Sequence, residues 1–351
     1  MKIWLLAVLL FCSQLVRADK VDGYVREQMK KGSIPGVAVT VIKDGKRVKT
    51  GLYGFSNLEL KTSVTKDSVF EIGALTKQFT AAGILLLVQE GKVSLEAPIS
   101  QYLTNTPAAW SSITVRHLLN HTSGIKSFTD QPGFELSKHL TQQQFLENLA
   151  ILPLEFRPGE QFKYGNTGFI LLGYIIENVS GKSYWEFMNE RLFAPLKMRT
   201  TTNREPATVM AGRANGYERS KSGGLVNRDY NLTELFSTGG LVSTLEDMVK
   251  WDAALAENKV LSAATKELMW NPTRLKDGTM KHYGFGWGVE TNGRRNVGHS
   301  GYTSGFTSSY QLYPDDKLSI IVLCNLGEES LATILADGIA KFYLPEVKVG
   351  K

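Results

Sequence analysis

The chain has 351 residues, 42% of them apolar and 21% charged, with a formal net charge of +6 at pH 7. That length and apolar share support a large core and two subdomains, and no low-complexity tract interrupts them. The basic excess is scattered and forms no run of the kind that tracks phosphates, so no nucleic-acid partner is expected.

Residues 1–18 read as a secretory signal. Lys2 supplies the positive start, Ile3 to Phe11 the apolar stretch, and Val16-Arg17-Ala18 a small-residue cleavage site. The stretch is too short to span a bilayer, so no stable membrane span is expected after its removal. The expected destination is the periplasm or the medium. Cys12 follows the bulky pair Leu10-Phe11, unlike a lipoprotein cysteine. Loss of the signal leaves Cys324 alone, which forbids an internal disulfide. It ends the apolar run Leu318 to Leu323 and reads as a packing residue. Asn178-Val-Ser180 and Asn231-Leu-Thr233 match the glycosylation pattern, which is common by chance.

In chain order, the spacing predicts a helix from Val21 to Lys31, stopped by Gly32. A buried strand follows over Val37 to Ile42. Asp44-Gly45 is a hairpin turn signal, with a second strand from about Lys46 to Tyr53. Phe79, Ala82, Ile84, Leu85, Leu86 and Val88 mark a helix that Gly91 ends. Further helices are expected over Ile113 to Leu119, Gln142 to Leu152, Phe169 to Val179 and Ser183 to Leu192. Strands return at Gly284 to Glu290, Arg295 to His299, Thr307 to Tyr313 and Leu318 to Leu323, and a helix over Ser330 to Tyr343 closes the chain. Strands at both ends imply one sheet built from both termini. The expected fold is α/β of the α+β type: an antiparallel sheet flanked by N- and C-terminal helices, with an inserted helical subdomain. Residues 19–80 and 275–351 form the α/β part, residues 81–274 the mainly helical part, and the site lies in the cleft between them.

The segment Val69 to Thr80 opens a helix with Ala74 one turn before Lys77. Positions three apart share a helix face, so a serine at 74 would set its hydroxyl beside the lysine amine. Ser-x-x-Lys is an activated-nucleophile arrangement, and here the serine is an alanine. Tyr164-Gly165-Asn166 and His299-Ser300-Gly301 follow downstream. So do Ile34-Pro35-Gly36, Leu118 to Gly124 (Leu-Leu-Asn-His-Thr-Ser-Gly), Gly239 to Thr244 and Gly305-Phe306. In this order the motifs resemble the serine β-lactamase and penicillin-binding protein superfamily, over almost the whole chain after the signal. The nearest likeness is to its class C β-lactamase, D-alanyl carboxypeptidase and family VIII esterase branch.

The resemblance implies a β-lactamase/transpeptidase-like fold and a role for each residue. Lys77, crowded by Tyr164, would act as base; Tyr164 would relay a proton to the leaving group. Asn166 would hydrogen-bond Lys77 and the substrate's acyl amide. His299, Ser300 and Gly301 stand where the family has Lys-Thr-Gly and would line the substrate side. The backbone N–H groups of Ala74 and Tyr302 would form the oxyanion hole, which does not depend on the side chain at 74. A histidine is mostly neutral at pH 7 and anchors a carboxylate less well than lysine, which shifts the expectation from penicillins toward esters and peptides. The implied partners are small molecules or peptides: an ester, a D-amino-acid peptide or a β-lactam. No cofactor is implied, and no His-x-x-x-His or paired-cysteine set suggests a metal.

No substitute nucleophile stands out. Thr76 lies roughly 200° around the helix from residue 74. Ser63-x-x-Lys66 and Ser123-x-x-Lys126 match by spelling, yet neither opens a buried helix, and no Gly-x-Ser-x-Gly elbow exists. His121 reads as a structural group bonding a loop carbonyl, His117 and His139 as surface or satisfied core groups, His282 as a possible cleft-rim residue, and Trp251, Trp270 and Trp287 as core. The sequence fits either an engineered Ser→Ala change or natural loss of the nucleophile. It leaves three readings: a hydrolase scaffold with acylation disabled, a binding module for peptidoglycan-type peptides or a protein partner, and an enzyme that activates water through Lys77 and Tyr164.

Overall fold

The computed structural model describes residues 20–132, 140–204, 207–228 and 235–344. The expected signal, His139 and the Asn231 sequon lie outside them. Helix α1 spans residues 20–31 and leads into β1 (Gly36–Lys43) and β2 (Lys46–Asn57), joined at Asp44-Gly45. Both turn residues have positive φ (53° and 72°), the twist a two-residue hairpin needs. β3 (Thr62–Ser63) and β4 (Val69–Glu71) precede α2 (Thr76–Gln89). Next come α3 (Val115–Leu119), α4 (Gln142–Ala150), α5 (Thr167–Ser180) and α6 (Tyr184–Met188), the last running on as a π-helical turn over Asn189–Phe193.

The stretch from there to the late strands holds elements that the hydrophobic pattern leaves unassigned. They are β5 (Thr202–Asn203), β6 (Gly216–Arg219), β7 (Leu225–Arg228), α7 (Phe236–Gly239), β8 (Leu241–Thr244), α8 (Leu245–Ala256), α9 (Ala263–Met269), β9 (Thr273–Arg274) and β10 (Met280–Lys281). Three small sheets accompany the helices among the described residues: β4-β8-β5, β6-β7 and β10-β9. Their strands are two to four residues long, too short for a period of two to show. β11 (Gly288–Glu290), β12 (Asn296–Thr303), β13 (Phe306–Tyr313), β14 (Leu318–Cys324) and α10 (Leu331–Ala340) complete the order.

Among the described residues the main sheet has seven strands in the order β11-β12-β13-β14-β1-β2-β3, and its pairs are antiparallel. The first strand of the chain thus pairs with the last. Central β1 reads Gly-Val-Ala-Val-Thr-Val-Ile-Lys and is buried through Ile42, because both faces are covered. Alternate residues serve different cores. Val37, Val39, Val41, Ile320 and Val322 pack with Val21 and Val25 of α1 and Leu335, Ala336 and Ile339 of α10. Ala38, Ile321 and Leu323 face the larger core with Phe79, Leu85 and Trp251. Cys324 is buried at the end of β14, and burial pushes its thiol up to about 12. Among the described residues no helix is long and apolar enough to cross a membrane.

α2 is buried from Thr76 to Leu87, on every face. It is the axis of the larger core, and Thr80 inside it is hydrogen-bonded. Thr80 Oγ1 shares a hydrogen bond of 2.6 Å with Tyr184 Oη and donates to the Ser237 carbonyl, also at 2.6 Å. The segment expected to be a strand from Gly284 narrows to β11. Gly286 has φ +74°, and a Cβ there would sit 2.6 Å from the Lys77 carbonyl oxygen. The chain bends at that point so that it can lie against α2.

α3 starts with a capping box: the Thr114 hydroxyl accepts from His117 N–H, and His117 Nδ1 accepts from Thr114 N–H at 3.1 Å. Nδ1 must be unprotonated for that. Burial first, then the nearby Lys276 charge, push the His117 imidazole down to about 4. The unfolded chain binds this proton near pH 6.5 and the folded chain only near 4, so stability present at pH 7 is lost as pH falls across that window. His117→Gln keeps an acceptor at the same place. The expected outcome in urea unfolding at pH 7 and pH 4.5 is a larger acid loss for the parent than for His117→Gln; equal losses would refute the box as the pH-sensitive element.

Candidate active site

Ala74 is the second residue of a short helical turn, Gly73–Leu75, that feeds α2. N–H groups in a first turn lack intrahelical acceptors, so the Ala74 N–H is set up to receive an outside oxygen. β12 runs directly against this turn. Gly73 has φ +51°, and a Cβ on it would meet Tyr302 N at 2.8 Å; a Cβ on Gly301 would drive into the Ile72 carbonyl oxygen. Ser308 Oγ on β13 donates to the same carbonyl at 2.8 Å. One residue further in, buried Glu71 accepts from Thr303 Oγ1 at 2.8 Å and pairs with buried Arg204 at 3.2 Å. Burial raises the Glu71 carboxyl, and the Arg204 charge works against that rise. These contacts fix the backbone of residue 74 relative to that of residue 302.

Lys77 leaves the first turn of α2 and is fully buried. Its Nζ donates to Asn166 Oδ1 at 2.9 Å and to the Thr238 carbonyl at 3.1 Å. It lies 5.0 Å from the centre of the Tyr164 ring and 5.6 Å from that of Phe169. No carboxylate pairs with it among the described residues, and desolvation brings its pKa down from 10.5 to about 7. At neutral pH a large share of the amine is unprotonated.

Asn166 stands at the N-cap of α5, where an asparagine usually bonds the helix's own N–H groups. Its side chain makes no such bond. Instead Oδ1 also accepts from Thr238 Oγ1 at 2.9 Å, and Nδ2 donates to Thr129 Oγ1 at 3.2 Å. Its backbone N–H donates to Ser127 Oγ at 3.1 Å. The amide is thus oriented by three neighbours with its oxygen on Lys77. Tyr164 sits at the cleft surface with 42% of the residue exposed, although desolvation still raises its phenol above the usual 10. It is a protonated donor at neutral pH.

His299 lies on β12 facing Tyr164, ring centres 6.0 Å apart. Its Nδ1 contacts the Ser300 carbonyl at 2.6 Å, so Nδ1 carries the hydrogen; Nε2 then accepts from Tyr283 Oη at 3.0 Å. Burial first and Lys77 second push this imidazole down to about 4. It is neutral in the working range and both nitrogens are engaged. Ser300, Gly301 and Tyr302 continue along the same wall.

Ala74, Lys77, Tyr164, Asn166, His299, Ser300, Gly301 and Tyr302 all line one cleft of about 610 Å³. Several lining residues were not legible beforehand. Tyr283 and Thr238 lie in segments without periodicity or motif, whereas Gly239 opens the Gly239 to Thr244 motif. His282 does reach the rim, with Nδ1 3.4 Å from the Glu290 carboxylate. His121 differs from expectation: its Nδ1 accepts from the Gly165 N–H at 3.4 Å rather than bonding a carbonyl, and its ring packs on Tyr164 and Tyr283 at 4.5 and 4.7 Å. Burial holds it well below the usual imidazole range. The spare hydroxyls lie elsewhere. Thr76 Oγ1 is buried and donates to Gly73 O at 2.7 Å, Ser123 is buried with Oγ accepting from Ile125 N–H, and Ser63 sits on β3. Trp251, Trp270 and Trp287 are all core residues.

Comparison with known proteins agrees in one direction. The Beta-lactamase family model matches residues 21–343. A penicillin-binding protein of Bacillus subtilis is 31% identical over 299 residues, covering 79% of this chain and 65% of its own length. Protein flp of Staphylococcus aureus is 29% identical over 328 residues, 89% of this chain and 64% of its own. The chain thus spans about two thirds of the length of these relatives. Among solved structures, the D-amino acid amidase of Ochrobactrum anthropi complexed with L-phenylalanine amide superposes with a TM-score of 0.78 at 26% identity, covering 93% of this chain and 96% of that one. The octameric penicillin-binding protein homologue of Pyrococcus abyssi gives 0.76 at 29% identity, covering 91% and 75%.

The seam between β12 and the turn at residue 74 yields a direct test. Gly301→Ala is expected to cost about 1–3 kcal/mol or more through the clash with Ile72. Gly23→Ala, where a new Cβ meets nothing within 4 Å on α1, is expected to be neutral or to gain about 0.5–1 kcal/mol. Urea unfolding of the two variants checks both signs.

Proposed function

The chain belongs to the Beta-lactamase family, and from that premise we propose that it is an acyl-transfer scaffold whose acylation step is disabled at residue 74. The observation that carries the proposal is the company Ala74 keeps. Lys77, Tyr164 and Asn166 converge on one side of it and β12 passes on the other, in one cleft, while residue 74 itself offers a methyl group. A methyl group cannot attack a carbonyl. In an unrelated serine protease, removal of the nucleophile costs on the order of a million-fold in turnover. The carbonyl-binding parts do not depend on the missing oxygen: the N–H groups at 74 and 302 and the Asn166 amide remain. Binding of an ester, a D-amino-acid peptide or a β-lactam is expected to outlast the loss of chemistry.

The leaving-group side has a bias of its own. His299 is neutral and its two nitrogens are committed to Ser300 and Tyr283. That wall therefore favours an uncharged ester or amide over a free carboxylate, which needs a cation or spare donors. Similarity to a D-amino acid amidase as well as to penicillin-binding proteins supports amides and peptides as the ligand class. The proposal includes export, on the strength of the apolar 3–11 stretch. The second reading is a binding module for peptidoglycan-type peptides or a protein partner, favoured by the same retention of the cleft without its nucleophile.

Intact-protein mass spectrometry after incubation with a fluorescent penicillin and a p-nitrophenyl ester separates the readings. The parent is expected to gain no mass, and Ala74→Ser to gain a covalent adduct and turn over the ester. If neither chain reacts, the acyl-transfer reading fails and the binding module replaces it. In Ala74→Ser the acylation rate is expected to rise with pH and reach half its plateau near pH 7, because Lys77, lowered to about 7, is the base only when deprotonated. A profile flat between pH 6 and 8 would remove Lys77 from that role.

A further inference from the structure

With the serine absent, the most nucleophilic atom left in the cleft is the Lys77 amine. A neutral primary amine has two N–H bonds and one lone pair. Lys77 Nζ has two hydrogen-bond acceptors, Asn166 Oδ1 at 2.9 Å and Thr238 O at 3.1 Å, which match the two N–H bonds. The rings of Tyr164 and Phe169 lie 5.0 and 5.6 Å from it. A serine at residue 74, three positions before Lys77, would set its hydroxyl beside the amine. Ala74 leaves that space to whatever enters the cleft, whose wall includes both residues. Desolvated lysines without a carboxylate partner are the ones that form Schiff bases with carbonyl compounds.

We propose that Lys77 forms an imine with small aldehydes that enter this cleft. The inference rests on the reading that the cleft admits carbonyl compounds. The aldehyde oxygen would take the N–H group of residue 74, and its carbon would face Nζ. The Lys77 lone pair forms the N–C bond while the carbonyl electrons move to oxygen. One nitrogen proton passes to that oxygen, giving a carbinolamine. Loss of the hydroxyl as water, with a proton from the Tyr164 phenol that is regained from nitrogen, leaves the imine. Nothing is oxidised or reduced. Low water access at the buried amine favours the imine over its hydrolysis.

The test uses the full chain at pH 7 with propanal and sodium cyanoborohydride, which reduces the imine to a stable propyl amine, followed by digestion and mapping of the label. An ordinary lysine titrates near 10.4 and is almost wholly protonated at pH 7, so Lys77 is expected to label at least about tenfold faster than an exposed lysine. Lys46 and Lys61 serve as the exposed comparison. In Ala74→Ser the label at Lys77 is expected to drop severalfold while that at Lys46 and Lys61 stays constant. Labelling of Lys77 no faster than those two overturns the inference, as does a Lys77 label indifferent to Ala74→Ser. A penicillin adduct on Ala74→Ser combined with an unlabelled Lys77 in the parent sinks the imine step alone. A labelled Lys77 with no penicillin adduct sinks the acyl-transfer reading alone.

Discussion

Lys77 carries its amine out of water into a space walled by two aromatic rings, where the hydrogen-bond partners it meets are an amide oxygen and a peptide carbonyl. Neither carries a formal charge. A lysine in such surroundings keeps its proton only at a cost, and the amine comes down to about 7. Much of the nearby structure exists to hold that arrangement. α5 gives up a side-chain cap so that Asn166 can face the amine. α7 turns its Thr238 carbonyl inward, and Gly286 lets the chain before β11 lie against the Lys77 backbone.

The opposite wall is held by a different kind of constraint, close backbone approach. The turn at Gly73–Leu75 and strand β12 come so near that glycine is required at 301 and favoured at 73. Behind them the Glu71–Arg204 pair and Thr303 fasten β4, the end of the segment after β5, and β12 together out of water. A buried pair adds little net stability, but breaking it leaves an uncompensated charge, so it fixes geometry strongly. Two donors held rigidly apart are what carbonyl recognition needs. That part of the site is built from backbone and does not depend on the side chain at 74.

The electrostatic character of the cleft also follows from these walls. His299 and His121 are both neutral, each through burial first and the nearby Lys77 charge second. Tyr164 and Tyr283 are held protonated by desolvation. The inner cleft is a place of neutral donors and acceptors around one titrating amine.

The sequence by itself determined a good deal. The buried run Val37 to Ile42 and the late strands announced a sheet closed by both ends of the chain, because strands covered on both faces are continuously apolar. The helix carrying Lys77 was marked by its apolar spacing and by Gly91. The ordered motifs placed Ala74, Lys77, Tyr164, Asn166 and His299 to Tyr302 on one site, and the alanine at 74 was plain to read. Tertiary structure alone decided the rest. Tyr283 and Thr238 come from segments with no period and no motif, and the Glu71–Thr303–Arg204 contact joins three segments far apart in the chain; they matter only because distant strands meet there. The small strands between residues 202 and 281 are too short to leave a pattern. The turn at Gly286, the tautomer of His299 and the depressed basicity of Lys77 depend on neighbours far away in the chain, and spacing along a sequence carries no information about what will be buried against what.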